Sequence, residues 1–159
     1  MSPSNEKTLR PVMGDFASIR CTKAIVVGVE KALGERAAHV ALINAGRMRG
    51  REIAEQSFEG KNVPLNEAAP LLNQAIGAEG TRLCVVESVT ESGDAIHVAL
   101  SDTLCSAGEP QGSPRQLTFT MGAIQGAFEV LTGRPLKAKQ IESVLRGGRF
   151  DVVELVNRI

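Results

Sequence analysis

Three cysteines, Cys21, Cys84 and Cys105, and two histidines, His39 and His97, are the side chains of this sequence with the widest chemical range. A thiol beside an imidazole makes a nucleophile, because the thiolate attacks and the ring takes its proton. Cys84 and His97 invite that test, since both fall on neighbouring segments that alternate apolar and polar residues. If those segments form a symmetric hairpin, Thr90 faces Ala95, Ser88 faces His97 and Cys84 faces Ser101. At about 3.4 Å per residue the thiol and the ring then lie on the order of 13 Å apart, too far to share a proton. His39 belongs to another element. The cysteines are too scattered for a structural zinc site or a disulfide framework, and read as reduced, mostly buried thiols. No Gly-x-Ser-x-Gly elbow, phosphate-binding loop or dinucleotide fingerprint occurs, so the expected class is a protein that is not an enzyme.

Two charged residues carry more interest. On a helical wheel of residues 35–57, Ala38, Ala41, Leu42, Ala45 and Ile53 share one face and Arg49 sits in its middle. Arg47 and Arg51 point the other way and are expected in solvent. Arg49 then has two readings. It pairs with a carboxylate such as Glu52 or Glu87, or it holds an anionic or carbonyl group of a ligand whose remainder lies in apolar surroundings. Glu87 shares strand parity with Val85 and Val89, which places it half-exposed at a sheet edge or buried as a partner for Arg49 or a ligand.

Gly46 and Gly50 make a smooth strip on that helix. Gly122 and Gly126 repeat the device on the helix at 117–131, opposite Leu117, Met121, Ile124, Phe128 and Leu131. In a chain without a membrane span, this spacing means close packing of helices. Met48, Met121, Ile124 and Phe128 are the candidates to line a pocket beside Arg49, or to fill the core as ordinary apolar side chains.

The elements that must position these residues follow from periodicity and punctuation. Helices are expected at 15–34, 35–57, 65–76 and 117–131, with Gly34 dividing the first two. Strands at 82–90 and 95–101 form a hairpin, residues 103–115 a loop, and 136–146 with 149–156 a second hairpin around Gly147-Gly148. The order predicts an α+β fold: one domain over residues 14–159, an antiparallel sheet with helices packed on it, and a flexible terminus at 1–13. The 159 residues are 43% apolar and 23% charged, ordinary for a globular chain, with no Trp or Tyr and five Phe. That shortage argues against stacking on single-stranded nucleic acid, and a net charge of zero offers polyanions no field. The longest apolar run, 24–29, is far too short to span a bilayer, and with no hydrophobic leader the expected compartment is the cytoplasm.

The segment 33–55, with Ala45-Gly46-Arg47-Met48-Arg49-Gly50-Arg51, resembles the 4-vinyl reductase, or hydrocarbon-binding, domain family. So do the block 119–133, which contains Met121-Gly122-Ala123-Ile124-Gln125-Gly126, and the closing Leu145-Arg146-Gly147-Gly148-Arg149-Phe150. The same order of blocks occurs in small subunits of the TRAPP vesicle-tethering complex. The resemblance spans residues 14–156 and implies a homodimeric, noncatalytic domain that holds a hydrophobic small molecule in an internal pocket. Arg49 falls where aromatic sensors of that family place a polar contact to their effector, and Ala123 falls where they often carry Tyr. Relatives in phototrophs suggest a tetrapyrrole or its precursor as ligand. An assembly or scaffold protein, for example in photosynthetic complex biogenesis, is the alternative. The family's zinc is not carried over, because residues 142–154 hold no Cys, and covalent acylation is not, because residues 56–64 hold none.

Overall fold

Gly34 turns the chain from one helix directly into the next. Its φ of 77° favours a residue without a Cβ, and its N–H closes the last turn of the first helix on Glu30. In the computed structural model, which describes residues 18–159, α1 runs over Ile19–Leu33 and α2 over Glu35–Phe58. The expected terminus at 1–13 and the start expected for the first helix lie outside the described residues. Ser18 caps α1 by accepting the Cys21 N–H. Pro64 precedes α3, Leu65–Ile76.

Strands β1, Val85–Ser92, and β2, Ala95–Ser101, follow as a hairpin. Then come α4, Phe119–Thr132, and strands β3, Leu136–Glu142, and β4, Asp151–Asn157. The strands form one antiparallel sheet in the order β1-β2-β4-β3. This is the α+β architecture expected from the sequence. Val98, Leu100, Val153 and Leu155 point from the sheet into the core, where they meet α3, α4 and part of α2.

Both hairpins differ in detail from expectation. The first turns on two residues, Gly93 and Asp94, so His97 faces Thr90 and Ala99 faces Ser88. Between Val86 and Ser88 the register shifts, because Glu87 sits in a bulge. In the second, a tight Gly-Gly turn gives way to a wider connection. β3 stops at Glu142, Ser143 caps a single short helical turn over Val144–Arg146, and Gly147 leaves it at φ 88°. Asp151 organises that corner from a fully buried position. It accepts the Val144 N–H at 3.0 Å and the hydroxyls of Thr103 at 2.6 Å and Ser106 at 2.9 Å. A buried carboxylate with that many donors stabilises the corner more than a free turn could.

The four glycines of α2 and α4 face each other. A Cβ on Gly46 would lie within 3.0 Å of three backbone atoms of Phe119 and Ala123, and Gly50 meets Ala123 in the same way. Gly122 in turn meets Ile43 and Arg47, and Gly126 meets Arg47. Partners advance together along both helices, so α2 and α4 run in the same direction with their backbones touching. Carbonyl oxygens of one helix face glycine Cα atoms of the other, an arrangement suited to weak Cα–H···O bonds.

Candidate functional site

The backbone contact rotates α2 away from the orientation its apolar residues suggest. Ala38, Leu42 and Ile53 are buried as expected, but Ala41 and Ala45 are exposed, and Gly46, Gly50 and Ala54 take their place in the buried face. Arg47, expected in solvent, lies beside this seam. Its guanidinium donates from Nε to Glu129 Oε2 at 2.8 Å and from Nη2 to Oε1 at 2.9 Å. Arg51 reaches the same carboxylate at 3.4 Å, and the Leu136 N–H donates to it at 3.0 Å. The Glu129 side chain is only 2% exposed. Burial works against its charge, but the hydrogen bonds from Arg47 and Leu136 and the two guanidinium charges outweigh it and hold the carboxyl below its usual range. Glu129, a lone acid in an otherwise apolar helix, is the residue whose importance was legible and passed over.

The six residues singled out as a ligand set do not form one site. Arg49 is half-buried rather than interior, and pairs with Glu52 one turn along at 3.3 Å. It lines a small recess of about 190 Å³ of mixed character, with Ile53, Gln56, Gln74, Ala75 and Glu79. Met48 is 68% exposed on the outer side of α2. Met121, Ile124 and Phe128 are packed into the hydrophobic core. Glu87, exposed on its bulge, accepts the Ser101 hydroxyl. The glycine strips pack the two helices backbone against backbone, as their spacing implies, and leave no space for a ligand between them.

The roomier opening lies where α2 and α4 end. There a cleft of about 560 Å³ is floored by Ala54, Phe58, Val63, Val130 and Leu131. Glu52, Glu55 and Gln56 line it from the last two turns of α2, and Glu59, Lys61 and Asn62 from the connection to α3. None of the six expected residues belongs to it. Its signal in the sequence was weak, since Phe58, Val63 and Leu131 are far apart and only the ends of two parallel helices bring them together.

His97, Cys84 and Arg115 are tied down. His97 Nε2 lies 2.9 Å from Glu154 Oε2 across the sheet, which leaves no thiol–imidazole pair with Cys84. Burial pushes the Cys84 thiol far up, and the neighbouring Cys105 and Asp151 add to the shift, so it stays protonated at neutral pH. Cys84 and Cys105 are buried as expected, whereas Cys21 is exposed. Arg115 is held by Glu30 and Glu109, and Glu109 also takes Lys23 at 3.0 Å. Burial opposes the Glu109 charge here too, and the bonds from Lys23 and Arg115 still lower its pKa.

The architecture, an antiparallel four-stranded sheet with four helices, is an α+β fold shared with solved structures. One solved example is the phenol-responsive sensory domain of the transcription activator PoxR with phenol. It is 16% identical at a TM-score of 0.61, over 89% of this chain and 75% of that one. Another is the trafficking protein particle complex subunit 3 from Naegleria fowleri, covalently bound to palmitic acid. It is 13% identical at a TM-score of 0.61, over 89% of this chain and 93% of that one. At such identities the shared property is the fold. No family model and no curated protein matches the sequence. No helix among the described residues is long and apolar enough to cross a membrane.

Proposed function

We propose that this protein is a noncatalytic binding domain for a hydrophobic small molecule, seated in the cleft at the ends of α2 and α4. The observation that carries the reading is the apolar floor of Phe58, Val63, Val130 and Leu131 under an opening of about 560 Å³, within the range of ordinary ligand sites. The shared fold with a domain crystallised with phenol supports it. Membership of the 4-vinyl reductase domain family and a place in the cytoplasm belong to the same proposal. A tetrapyrrole or its precursor, suggested by that resemblance, enters as one candidate ligand. Native mass spectrometry of gently purified protein, followed by titration with hydrophobic ligands, tests the reading. Binding that Leu131→Trp abolishes supports it, and wild-type protein that is empty and unresponsive to every ligand refutes it.

A second reading, assembly through protein contacts, rests on a different surface. Ile25 on α1 is 64% exposed, and Val40 and Met48 on α2 are 61% and 68% exposed, with Ala24, Ala41 and Ala45 exposed around them. Apolar side chains repeated along the outer faces of two helices favour a partner, and a second copy of the chain is the simplest one. In sedimentation experiments the homodimer reading predicts concentration-dependent association that Val40→Glu with Met48→Glu removes. A wild-type monomer at every concentration sinks it.

A further inference from the structure

Electrostatics at the cleft point to a class of ligand. α2 and α4 are parallel, so both present their C-terminal ends, the negative poles of their backbone dipoles, to the same region. Helices normally offset that pole with Lys, Arg or His in the last turn. Neither helix has one there. α2 instead ends with Glu55 and Glu59, which its own dipole disfavours, and Glu52 stands one turn before them. Arg49 engages Glu52, and Lys61 is the cation among the lining residues. Arg47 and Arg51, which could have neutralised this wall, turn to Glu129. Arg134 follows α4 but does not line the opening. An apolar floor below a wall of carboxylates and two negative helix ends therefore suits a molecule with an apolar body and a positive head.

We infer that the cleft selects hydrophobic amines, charged at neutral pH, over neutral alcohols and over carboxylic acids of the same shape. This rests on the ligand-binding reading above and narrows it. It separates the chain from the two structures that share its fold, one seen with phenol and the other with palmitic acid. It also ranks ligands bearing acidic side chains, carboxylated tetrapyrroles among them, below amines.

Titration calorimetry of the full chain with three matched probes tests it: butylbenzylamine, butylbenzyl alcohol and butylbenzoate, at neutral pH and at low and high salt. The amine is expected to bind about tenfold more tightly than the alcohol, with the benzoate weakest. The amine's advantage should shrink in high salt, where exposed charges are screened, and collapse in the Glu55→Gln, Glu59→Gln double variant. Equal affinities, or a preference for the benzoate, overturn the charge selection, while the ligand site survives if Leu131→Trp still abolishes binding. No binding of any probe, with Leu131→Trp indistinguishable from wild type, removes the site and the selection together.

Discussion

The middle of the α2–α4 pair and its C-terminal end, about two turns apart, treat the same two helices in opposite ways. At the middle, four glycines bring backbone onto backbone and Arg47 locks the flank to Glu129. At the end, Phe58, Val130 and Leu131 leave an open cleft with an apolar floor and a charged rim. Glycine removes the side chains that would keep helices apart, so the place with the smallest residues is the place with no room for a ligand. Space opens only where larger side chains resume and the helices stop.

Adding one carbon to the sealed region should have the largest effect. Gly50→Ala places a Cβ against the Ala123 carbonyl, a backbone atom that no side-chain rotation can move aside. The exchange gains about 1 kcal/mol of helix propensity, but forcing two helices apart costs more, and the expected net loss is about 3 kcal/mol. Gly28→Ala is the matched control. Gly28 lies in α1 with nothing within 4 Å of the added carbon, so there the propensity term stands alone and stability should rise by about 0.5–1 kcal/mol. Thermal and urea unfolding of the two variants would show opposite signs. A neutral Gly50→Ala would mean that the seam is looser than its geometry.

This seam also explains what the sequence could and could not show. The Gly34 break between α1 and α2, the extents of α2 and α3 and the α+β order were legible because apolar periodicity and glycine punctuation are local. Both glycine pairs were legible as helix contacts. The rotation of α2 was not, because a wheel weighted by hydrophobicity follows Ala41 and Ala45, whereas the packed face was chosen by the absence of side chains at Gly46 and Gly50. That difference brought Arg47 onto the buried Glu129 and left Arg49 half-buried and paired with Glu52, one of its two readings. The cleft was hidden for another reason: its floor comes from two helix ends and a connection, joined only by tertiary packing. The first hairpin was misaligned because its turn takes only Gly93 and Asp94 where Glu91-Ser92-Gly93-Asp94 reads as the turn, and the bulge at Glu87, which has no sequence mark here, then moves the register back by one.

Removing the clamp beside the seam should have the next largest effect. Glu129→Gln keeps the volume and an acceptor for the Leu136 N–H, but leaves Arg47 without its bidentate partner. Arg47 and Arg51 are partly exposed and can recover water, so the loss should be about 2 kcal/mol, below the cost of orphaning a fully buried charge. The sign with pH follows from the lowered pKa of Glu129. A carboxylate depressed in the folded state contributes its stability in full above the unfolded pKa, and loses it as pH falls through the folded value. Wild-type protein should therefore weaken in acid. The variant's acid limb should be flatter but not flat, because Glu109 is lowered as well. Identical acid limbs in urea titrations across pH would exclude Glu129 as a contributor.

The smallest effect belongs to the open end, and it is the sharpest check on the contrast. Leu131→Trp adds far more volume than Gly50→Ala, yet it does so where the side chain is half-exposed and borders about 560 Å³ of unfilled space. The indole can lie over Phe58 and Val63, so apolar area newly removed from water offsets the cost of ordering the ring. Stability should stay within about 0.5 kcal/mol of wild type, the ordinary range for a surface substitution, while ligand binding at the cleft is lost. A destabilisation as large as that of Gly50→Ala would show that the end of the pair is packed as tightly as its middle. Unchanged stability together with lost binding would establish that one pair of helices is sealed by glycine at its centre and kept open, at little cost, at its end.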